Sequence, residues 1–253
     1  MSTIGFGDLA QSHVMRRHTT QAKLDMARLS EELTLGKASD TPRHLSGDMG
    51  PLLAIDSGLA RLDGFGAVTR ELALFSDAMQ TSLSTIASLA LDAATGLISA
   101  SGTAATTHVN TASSAAHSAL KSTISTLNTR FGDRSLFAGM DTTSIAVADS
   151  ETLLTAVETA ISTAGATDVA SVEAVLDSWF STPGAYQGTG YLGAAGLAPV
   201  PISAGEEVAL DITADDPAIR ATLKGLVMAS LVDRGLFTGQ PSVQKDLAQR
   251  AGE

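Results

Sequence analysis

A single apolar pattern runs through most of the first half of this 253-residue chain and limits what the chain can fold into. From Leu59 to Phe131, apolar side chains recur at spacings of three and four residues, which is the spacing of one face of an α-helix. The residues of this seam are Leu59, Leu62, Leu72, Met79, Leu83, Ile86, Ala90, Ala93, Leu97, Ala100, Ala104, Ala116, Leu120, Ile124, Leu127 and Phe131. We therefore predict a very long helix, which extends from Ile55 to Phe131 if it is unbroken.

Glycine residues weaken this predicted helix, because each costs about 0.5–1 kcal/mol relative to alanine in a helix interior. They lie at Gly58, Gly64, Gly66, Gly96 and Gly102. Two of them are separated by a single residue, and we predict kinks or a break near Gly64 to Gly66.

The stretch from Ala93 to Leu120 contains no Asp, Glu, Lys or Arg and consists mostly of Ala, Ser and Thr. Ser and Thr are poor helix formers, so an isolated helix of this composition is marginal in water. Small uncharged side chains also permit close approach of other helices on several faces. We interpret the stretch as a helix that needs neighbours, from its own chain or from other subunits. A buried helix of a monomeric bundle is the alternative.

A shorter seam precedes the long one. Its residues are Met15, Thr19, Ala22, Met26, Leu29 and Leu33, which are separated alternately by four and three positions. This is the 3.5-residue repeat of a coiled coil, and we predict such a helix from about Leu9 to Leu35. Gly36 follows where a C-terminal capping glycine belongs. The segment from Lys37 to Gly50 is predicted to be a loop, and Pro51 suits the first turn of the next helix.

The second half of the chain predicts short mixed elements. We expect a turn into a short strand after Asn128 and a short strand at Ser144–Ala148. Four helices are predicted, over 151–162, from Asp168 or Ser171 to Phe180, over 217–232 and from Ser242 onward. Between the second and third of these helices we predict a loop over 183–201 and a hairpin of Val200–Ile202 with Glu207–Ile212. Aspartates before the helices supply N-caps, and Pro217 suits a first helical turn.

Composition excludes several classes of function. The net charge of −11 argues against nucleic-acid binding and against attachment to anionic lipid, both of which need a basic face. The absence of Cys removes disulfides, thiol catalysis and Cys-based zinc sites. The first eight residues lack the features of a cleavable secretory signal, and no apolar run is long enough to cross a bilayer. We expect a soluble protein that, if exported, uses a route without a cleaved signal.

No motif predicts catalysis, a cofactor or a metal. Gly188–Gly193 matches GxGxxG but lacks a preceding strand and a following helix, so we interpret it as a glycine-rich surface loop. The five histidines are scattered without the i, i+4 spacing of a helical metal site. Two pairs of adjacent carboxylates do not indicate an acid–base site. Glu31 and Glu32 belong to a solvated helix face, and Asp215 and Asp216 belong to a helix cap. The cluster of Trp179, Tyr186 and Tyr191 marks a small core or, less well, a contact surface.

One segment resembles a known family. Asn128–Gly139, which ends in Leu136-Phe-Ala-Gly139, is similar to the Asn-…-Gly-…-Tyr-Leu-Phe-Ala-Gly stretch of the flagellar hook–filament junction proteins (hook-associated protein 3), which are relatives of flagellin. Ser135 stands where that family commonly has Tyr. Leu29–Lys37 resembles the end of the family's first helix, and Pro201–Gly205 and Ala214–Ala218 resemble segments that re-enter its rod.

The resemblance implies a mainly α fold: a long-helix rod and coiled coil of flagellin type with a small inserted α+β domain. The corresponding domains are 1–48, an N-terminal coiled-coil helix and loop; 49–135 with 214–253, the rod; and 136–213, the insert. It further implies a non-enzymatic, extracellular structural protein of the bacterial flagellum, exported through the flagellar type III channel. Its implied partners are neighbouring copies in a ring, the other hook–filament junction protein, flagellin and an export chaperone.

Two further expectations complete this interpretation. Members of the family return to a C-terminal helix that pairs with the N-terminal one, so we expect the sequence to be a truncated or trimmed form whose residues 1–35 are frayed or pair between chains. The alternative functions are flagellin itself, a helical signalling or adaptor module outside the flagellum, and, least supported, an enzyme.

Overall fold

The protein is mainly α-helical, as predicted, with 69% of its residues in helices in a computed structural model. The structure describes residues 6–102 and 106–253. The helices are α1 (Phe6–Leu35), α2 (Thr41–His44), α3 (Gly50–Ser101), α4 (Thr106–Leu127), α5 (Ser150–Ala164), α6 (Val169–Phe180), α7 (Pro217–Asp233) and α8 (Pro241–Gly252). The strands form two small antiparallel hairpins, β1 (Arg130–Phe131) with β2 (Arg134–Ser135) and β3 (Val200–Ser203) with β4 (Glu206–Val208).

The chain divides into two units, Met1–Asp63 and Gly64–Glu253. In the first unit, the described residues belong to α1, α2 and the beginning of α3, and their large apolar side chains are mostly exposed. The second unit holds the hydrophobic core. The three-part division predicted above stays a prediction.

The core of the second unit is built around α7, which packs against α4, α5, α6 and α8. Nine of its seventeen residues are buried, from Ile219 to Val232, so α7 is covered nearly all round. The second half of α3 contributes a stripe of buried residues that begins at Phe75 and ends at Ser101. Small side chains on α4, such as Ser113 and Ala116, are fully buried and allow the close approach that the sequence predicted.

The long predicted helix is interrupted, but not where we predicted. Helix α3 is continuous through Gly64 and Gly66, so the predicted break there is wrong. The described helix ends instead at Ser101, where Gly102 N–H still bonds to the Ile98 carbonyl at 3.1 Å, and α4 begins at Thr106. Two predictions lie outside the described residues. They are the place of Ala104 in the apolar seam and, for residues 1–5, the absence of a secretory signal.

Helix ends follow the local signals of the sequence. Asp149 accepts hydrogen bonds from the backbone amides of two residues in the first turn of α5. Asp168 and Ser171, which the sequence left as alternatives, form a reciprocal capping box at the start of α6. Asp216 caps α7 with Pro217 in its first turn, and Gly36 adopts a φ of 67° after α1. These caps confirm the predicted helix starts and the predicted end of α1.

Three predictions for loops and strands are wrong. Ser144–Ala148 is not a strand; within it Val147 makes one isolated β-bridge with Tyr191. The predicted loop from Lys37 to Gly50 contains the short helix α2, and the predicted loop over 183–201 contains a single π-helical turn, Tyr186–Gly190.

One helix is apolar enough to cross a bilayer by length and composition alone. An 18-residue window of α3 has a mean hydropathy of 1.4. The sequence prediction concerned an uninterrupted apolar run, and α3 contains none of that length. A core helix of a water-soluble protein satisfies the same criterion, and 22% of the window is buried within the chain.

Candidate interaction surface

The segment that carries the family resemblance is tied together by the side chain of Asn128. Its Oδ1 accepts hydrogen bonds from the amides of Ala146 and Val147, each at 2.9 Å, and its Nδ2 donates to the Val147 carbonyl at 2.8 Å. One amide therefore satisfies three backbone groups of a buried stretch without regular secondary structure, as such groups require. Asn128 lies directly after α4, and it fixes the path of the chain that leads to α5.

Leu136, Phe137 and Ala138 are core residues rather than contact residues. All three are buried, and the backbone around them bonds to two distant segments. Phe137 accepts from the amide of Ala214 at 2.9 Å, and Ala138 accepts from the amide of Ala194 at 2.9 Å. This segment holds the loop after the π-helical turn and the start of α7 against one another.

Gly139 is required at the end of this segment by both conformation and space. Its φ is 64°, a region that favours glycine. A Cβ atom at this position would lie 2.3 Å from the Ala195 carbonyl oxygen and 2.5 Å from that of Ala194. The backbone at residue 195 comes this close because its carbonyl accepts from the Met140 amide at 2.9 Å.

The turn between β1 and β2 rests against α3 of the same unit. The Phe131 and Phe75 rings meet edge to face with centroids 6.2 Å apart. The Arg134 guanidinium lies 5.6 Å from the Phe75 ring centroid and 3.6 Å from a Glu71 carboxylate oxygen. Since these contacts are partly exposed, they orient the turn more than they stabilise it.

The aromatic cluster is core, which confirms the favoured interpretation. Trp179, Phe180 and Tyr186 lie with ring centroids between 4.7 and 5.9 Å apart. The Tyr186 hydroxyl donates to the Ala214 carbonyl at 2.9 Å, and burial raises the pKa of this phenol. The Tyr191 hydroxyl donates to the Ala194 carbonyl at 2.5 Å, and burial raises its pKa as well.

The GxGxxG sequence lies partly inside this cluster, so its interpretation as a surface loop is wrong in part. Gly190 is buried, and a Cβ there would meet the Tyr186 ring at 2.4 Å. Gly188 remains exposed, with open space around it. Close packing against tyrosine therefore explains Gly190 and Gly193 but not Gly188, and the spacing of the motif alone does not reveal these contacts.

His117 has acidic neighbours that the sequence did not show. Its Nδ1 lies 2.8 Å from Asp233 Oδ2 at the end of α7, and its Nε2 lies 3.7 Å from Glu151 Oε1 on α5. Arg234 donates to Glu151 at 2.6 Å and to Glu158 at 2.5 Å. The hydrogen bond to Glu158 is the main cause that raises the pKa of Arg234, and the bond from Arg234 lowers the pKa of Glu151. These groups join three helices.

The remaining candidates for chemistry stay apart in space. His13 and His18 lie on α1, and His108 is exposed on α4. Asp216 caps α7, and its neighbour Asp215 accepts from Gln187 at 2.8 Å. Within residues 6–102 and 106–253, no three His, Asp or Glu side chains are grouped so that they could hold a metal ion.

A groove of about 460 Å³ lies among α3, α6, α7 and α8, and half of its lining residues are Ala or Gly. Charged side chains at its edge are already paired: Lys224 with Asp177 at 2.6 Å and Arg250 with Glu173 at 2.5 Å. The groove contains no histidine and no nucleophile beside a base. Its lining suits helix packing better than chemistry.

The apolar seam of α1 is uncovered. Met15, Met26 and Leu33 are 67%, 72% and 86% exposed, and Leu29 is exposed as well. The start of α3 is similar, since Leu53, Ile55, Leu59 and Leu62 are all more than half exposed. Exposed apolar surface of this extent marks an interaction site in a soluble protein. It is the strongest functional feature among the described residues.

Comparisons of the chain with protein-family models, with curated proteins and with solved structures found no match.

Proposed function

We propose that this protein is a structural component of the bacterial flagellum that joins hook to filament, and that it assembles through helix–helix contacts made by its exposed seams. The observation that carries the assembly part of the proposal is the uncovered heptad seam of α1. The flagellar part rests on the resemblance of Asn128–Gly139 and of Leu29–Lys37 to the junction proteins.

The physics of α1 supports an assembly role. A single helix in water gains little from its own hydrogen bonds, and most helix stability in proteins comes from packing of one apolar face. The seam of α1 has the spacing for such packing, yet its large side chains are exposed. Burying a Leu or Met side chain gains about 1.5–3 kcal/mol, so several seam residues together supply a substantial driving force for association.

The arrangement of the resembling segment also supports the proposal. Asn128, Phe137 and Gly139 brace the chain where it leaves α4, and the same segment contacts the start of α7. Hydrogen bonds at this place fix the path of the chain between α4 and α7, which suits a protein that assembles through its helices. The residues that match the family thus hold the backbone in place, which suits a structural component.

The proposal is tested by locating the protein on flagella with a gold-labelled antibody in the organism that encodes it. We expect label at the boundary between hook and filament. Label along the entire filament would identify a filament subunit instead, and absence from flagella would refute the flagellar assignment.

A matched pair of variants tests the assembly mechanism in the same cells. Met26→Asp places a charge in the seam, whereas Ala27→Asp places the same charge on an exposed position outside it. We expect M26D to be lost from the hook–filament boundary and motility to fail, while A27D retains both. Equal behaviour of the two variants would contradict assembly through this seam.

A further inference from the structure

We propose that the second unit binds a small apolar α-amino acid in its zwitterionic form, in a pocket beside α3 where Glu71 and Arg134 meet. The inference goes beyond the proposed function and does not depend on it, because the pocket involves neither α1 nor assembly. The proposal rests on the shape of the pocket, its apolar lining and the two opposite charges at its edge.

The pocket has a volume of about 210 Å³, and its lining comes from three parts of the second unit. These are one face of α3, the turn between β1 and β2, and the segments next to β3 and β4. The large apolar side chains that line it are Leu72, Phe75, Leu197, Val200 and Leu210. Drug-sized ligands occupy about 300–1,000 Å³, whereas an apolar cavity of about 150 Å³ holds benzene. The pocket therefore suits a single small apolar group.

Two opposite charges lie where this pocket opens to solvent. Glu71 and Arg134 both line it, and their side chains are 65% and 44% exposed. Arg134 Nη1 lies 3.6 Å from Glu71 Oε1, which is too long for a hydrogen bond. In the part of the chain that the structure describes, the guanidinium contacts only this carboxylate and the Phe75 ring. Most of its N–H donors therefore remain available to a ligand.

The loose pairing of these two groups allows a ligand to enter between them. An exposed ion pair contributes little to stability, so its separation costs little. The Phe75 ring lies 5.6 Å from the Arg134 guanidinium and keeps it beside the pocket without occupying its donors. The site thus offers one carboxylate acceptor and one guanidinium donor above an apolar floor.

An α-amino acid matches this arrangement because it carries a carboxylate, an ammonium and a side chain on one carbon atom. A guanidinium binds carboxylates through paired N–H bonds, and a carboxylate accepts from an ammonium. Arg134 then takes the carboxylate of the ligand, Glu71 takes the ammonium, and the pocket takes the apolar side chain. A ligand with a carboxylate alone meets the like charge of Glu71, and an amine alone meets that of Arg134, which disfavours both.

A series of ligands tests this recognition by saturation-transfer difference NMR on the full chain. The probe is L-leucine. Isocaproate lacks its ammonium, isoamylamine lacks its carboxylate, and glycine lacks its side chain. We expect saturable binding of leucine and at least about tenfold weaker binding of the other three, because each loses one of the three contacts. No saturable binding of leucine, or equal binding of isocaproate, would overturn the proposal.

Leucylglycylglycine separates a free amino acid from the first residue of a peptide chain. It keeps the ammonium and the apolar side chain, but its carboxylate lies two residues away. We expect it to bind at least about tenfold more weakly than leucine. Equal affinity would show that the site does not recognise the α-carboxylate, and a free amino acid would then be wrong as the ligand.

Matched variants test the two charges. Glu71→Gln and Arg134→Gln each remove one of them and should weaken leucine binding at least about tenfold. Asp77→Asn and Arg70→Gln remove the same kinds of charge from exposed positions on α3 outside the pocket. These controls should change leucine binding less than about twofold. Equal weakening in pocket variants and controls would mean that overall charge, not this pair, governs binding.

A bulky side chain tests the location without altering either charge. Ala198 lines the pocket and is exposed, so Ala198→Phe narrows the pocket from its solvent side. Ala204→Phe, in the exposed turn between β3 and β4, is the control. We expect A198F to lose leucine binding and A204F to keep it, with thermal unfolding followed by circular dichroism to show that both are folded. Retained binding in folded A198F would place leucine elsewhere and overturn the proposal, while the flagellar assignment would be unaffected.

Discussion

At the scale of single residues, Asn128 stabilises the fold more than its half-buried position indicates. Asn128→Ala removes three hydrogen bonds to backbone groups of Ala146 and Val147. Leaving buried backbone groups unsatisfied predicts a loss of about 2–3 kcal/mol in the free energy of unfolding. Asn110→Ala, at an exposed position on α4, is the control and is expected to change it by less than ~0.5 kcal/mol.

The measurement for N128A is urea unfolding followed by tryptophan fluorescence. Trp179 is the single tryptophan and is buried in the second unit, so its signal reports on the part of the chain that Asn128 braces. A loss in N128A no larger than that in N110A would show that the three hydrogen bonds contribute nothing net.

A comparison of Gly139 with Gly132 separates the cost of a left-handed backbone conformation from the cost of steric overlap. Gly132 has a φ of 59° with no atom within 4 Å of a would-be Cβ, whereas at Gly139 two carbonyl oxygens lie in the way. Gly132→Ala therefore costs only the left-handed conformation, about 1–2 kcal/mol. Gly139→Ala also forces backbone apart, and we expect at least ~2 kcal/mol more destabilisation in the same fluorescence assay. Similar losses in the two variants would mean that the backbone at 194–195 yields readily.

At the scale of elements, the N-cap of α5 predicts a dependence on pH. The bond from the Thr152 hydroxyl is the main cause that lowers the pKa of Asp149 below its ordinary value of 3.8, and the Thr152 amide lowers it further. Because the pKa is lowered in the folded state, the ionised carboxylate stabilises the fold at any pH above the pKa of the unfolded state. This stabilisation is lost as the pH falls through the pKa of the folded state. The loss therefore occurs below about pH 4.

Asp149→Asn tests this linkage, because Asn caps helices as well as Asp does but does not titrate. We expect the unfolding free energies of wild type and D149N to agree at pH 7, and wild type to lose more stability than D149N between pH 4 and 2.5. Asp149→Ala should cost about 1 kcal/mol at pH 7. An unchanged difference between wild type and D149N over this pH range would exclude the carboxylate as the titrating group.

Local signals explain which elements the sequence predicted correctly. The caps at Asp149, Asp168 and Asp216 involve residues within three positions of one another, so the sequence holds all the information they need. The interruption of the long helix was missed because every glycine carries the same intrinsic cost. The space around the glycines does not separate them either: Gly64, Gly66 and Gly96 meet nothing within 4 Å, and Gly102 meets only carbonyl oxygens of its own helix.

Two side-chain contacts within the second unit were not predicted from the sequence. His117 meets Asp233 across 116 positions, and Gly190 meets Tyr186 only because a π-helical turn folds one onto the other. No periodic pattern encodes either contact. Helix α1, by contrast, was predicted from its spacing, because a heptad repeat depends only on the helix that carries it, whereas its pairing in a coiled coil stays a prediction.

At the scale of the whole molecule, stability is distributed unevenly. The second unit has a continuous hydrophobic core and capped helices, whereas the described apolar residues of α1 are exposed. Regions with few buried apolar contacts open at low free-energy cost. We therefore expect α1 to open at a lower free-energy cost than the core helices of the second unit.

Hydrogen exchange measured by mass spectrometry gives the decisive prediction at this scale. In dilute protein, we expect amides of Met15–Leu33 to exchange within seconds to minutes, while amides of Leu226–Val232 in α7 stay protected. Raising the concentration should slow exchange in α1 alone, because association buries its seam and makes opening of its hydrogen bonds more costly. In M26D the α1 amides should stay fast at every concentration, with A27D as the control that behaves like wild type. Strong protection of α1 at the lowest concentration would show that the helix is stable by itself. The helix would then need no partner, and the argument for the proposed assembly would fail.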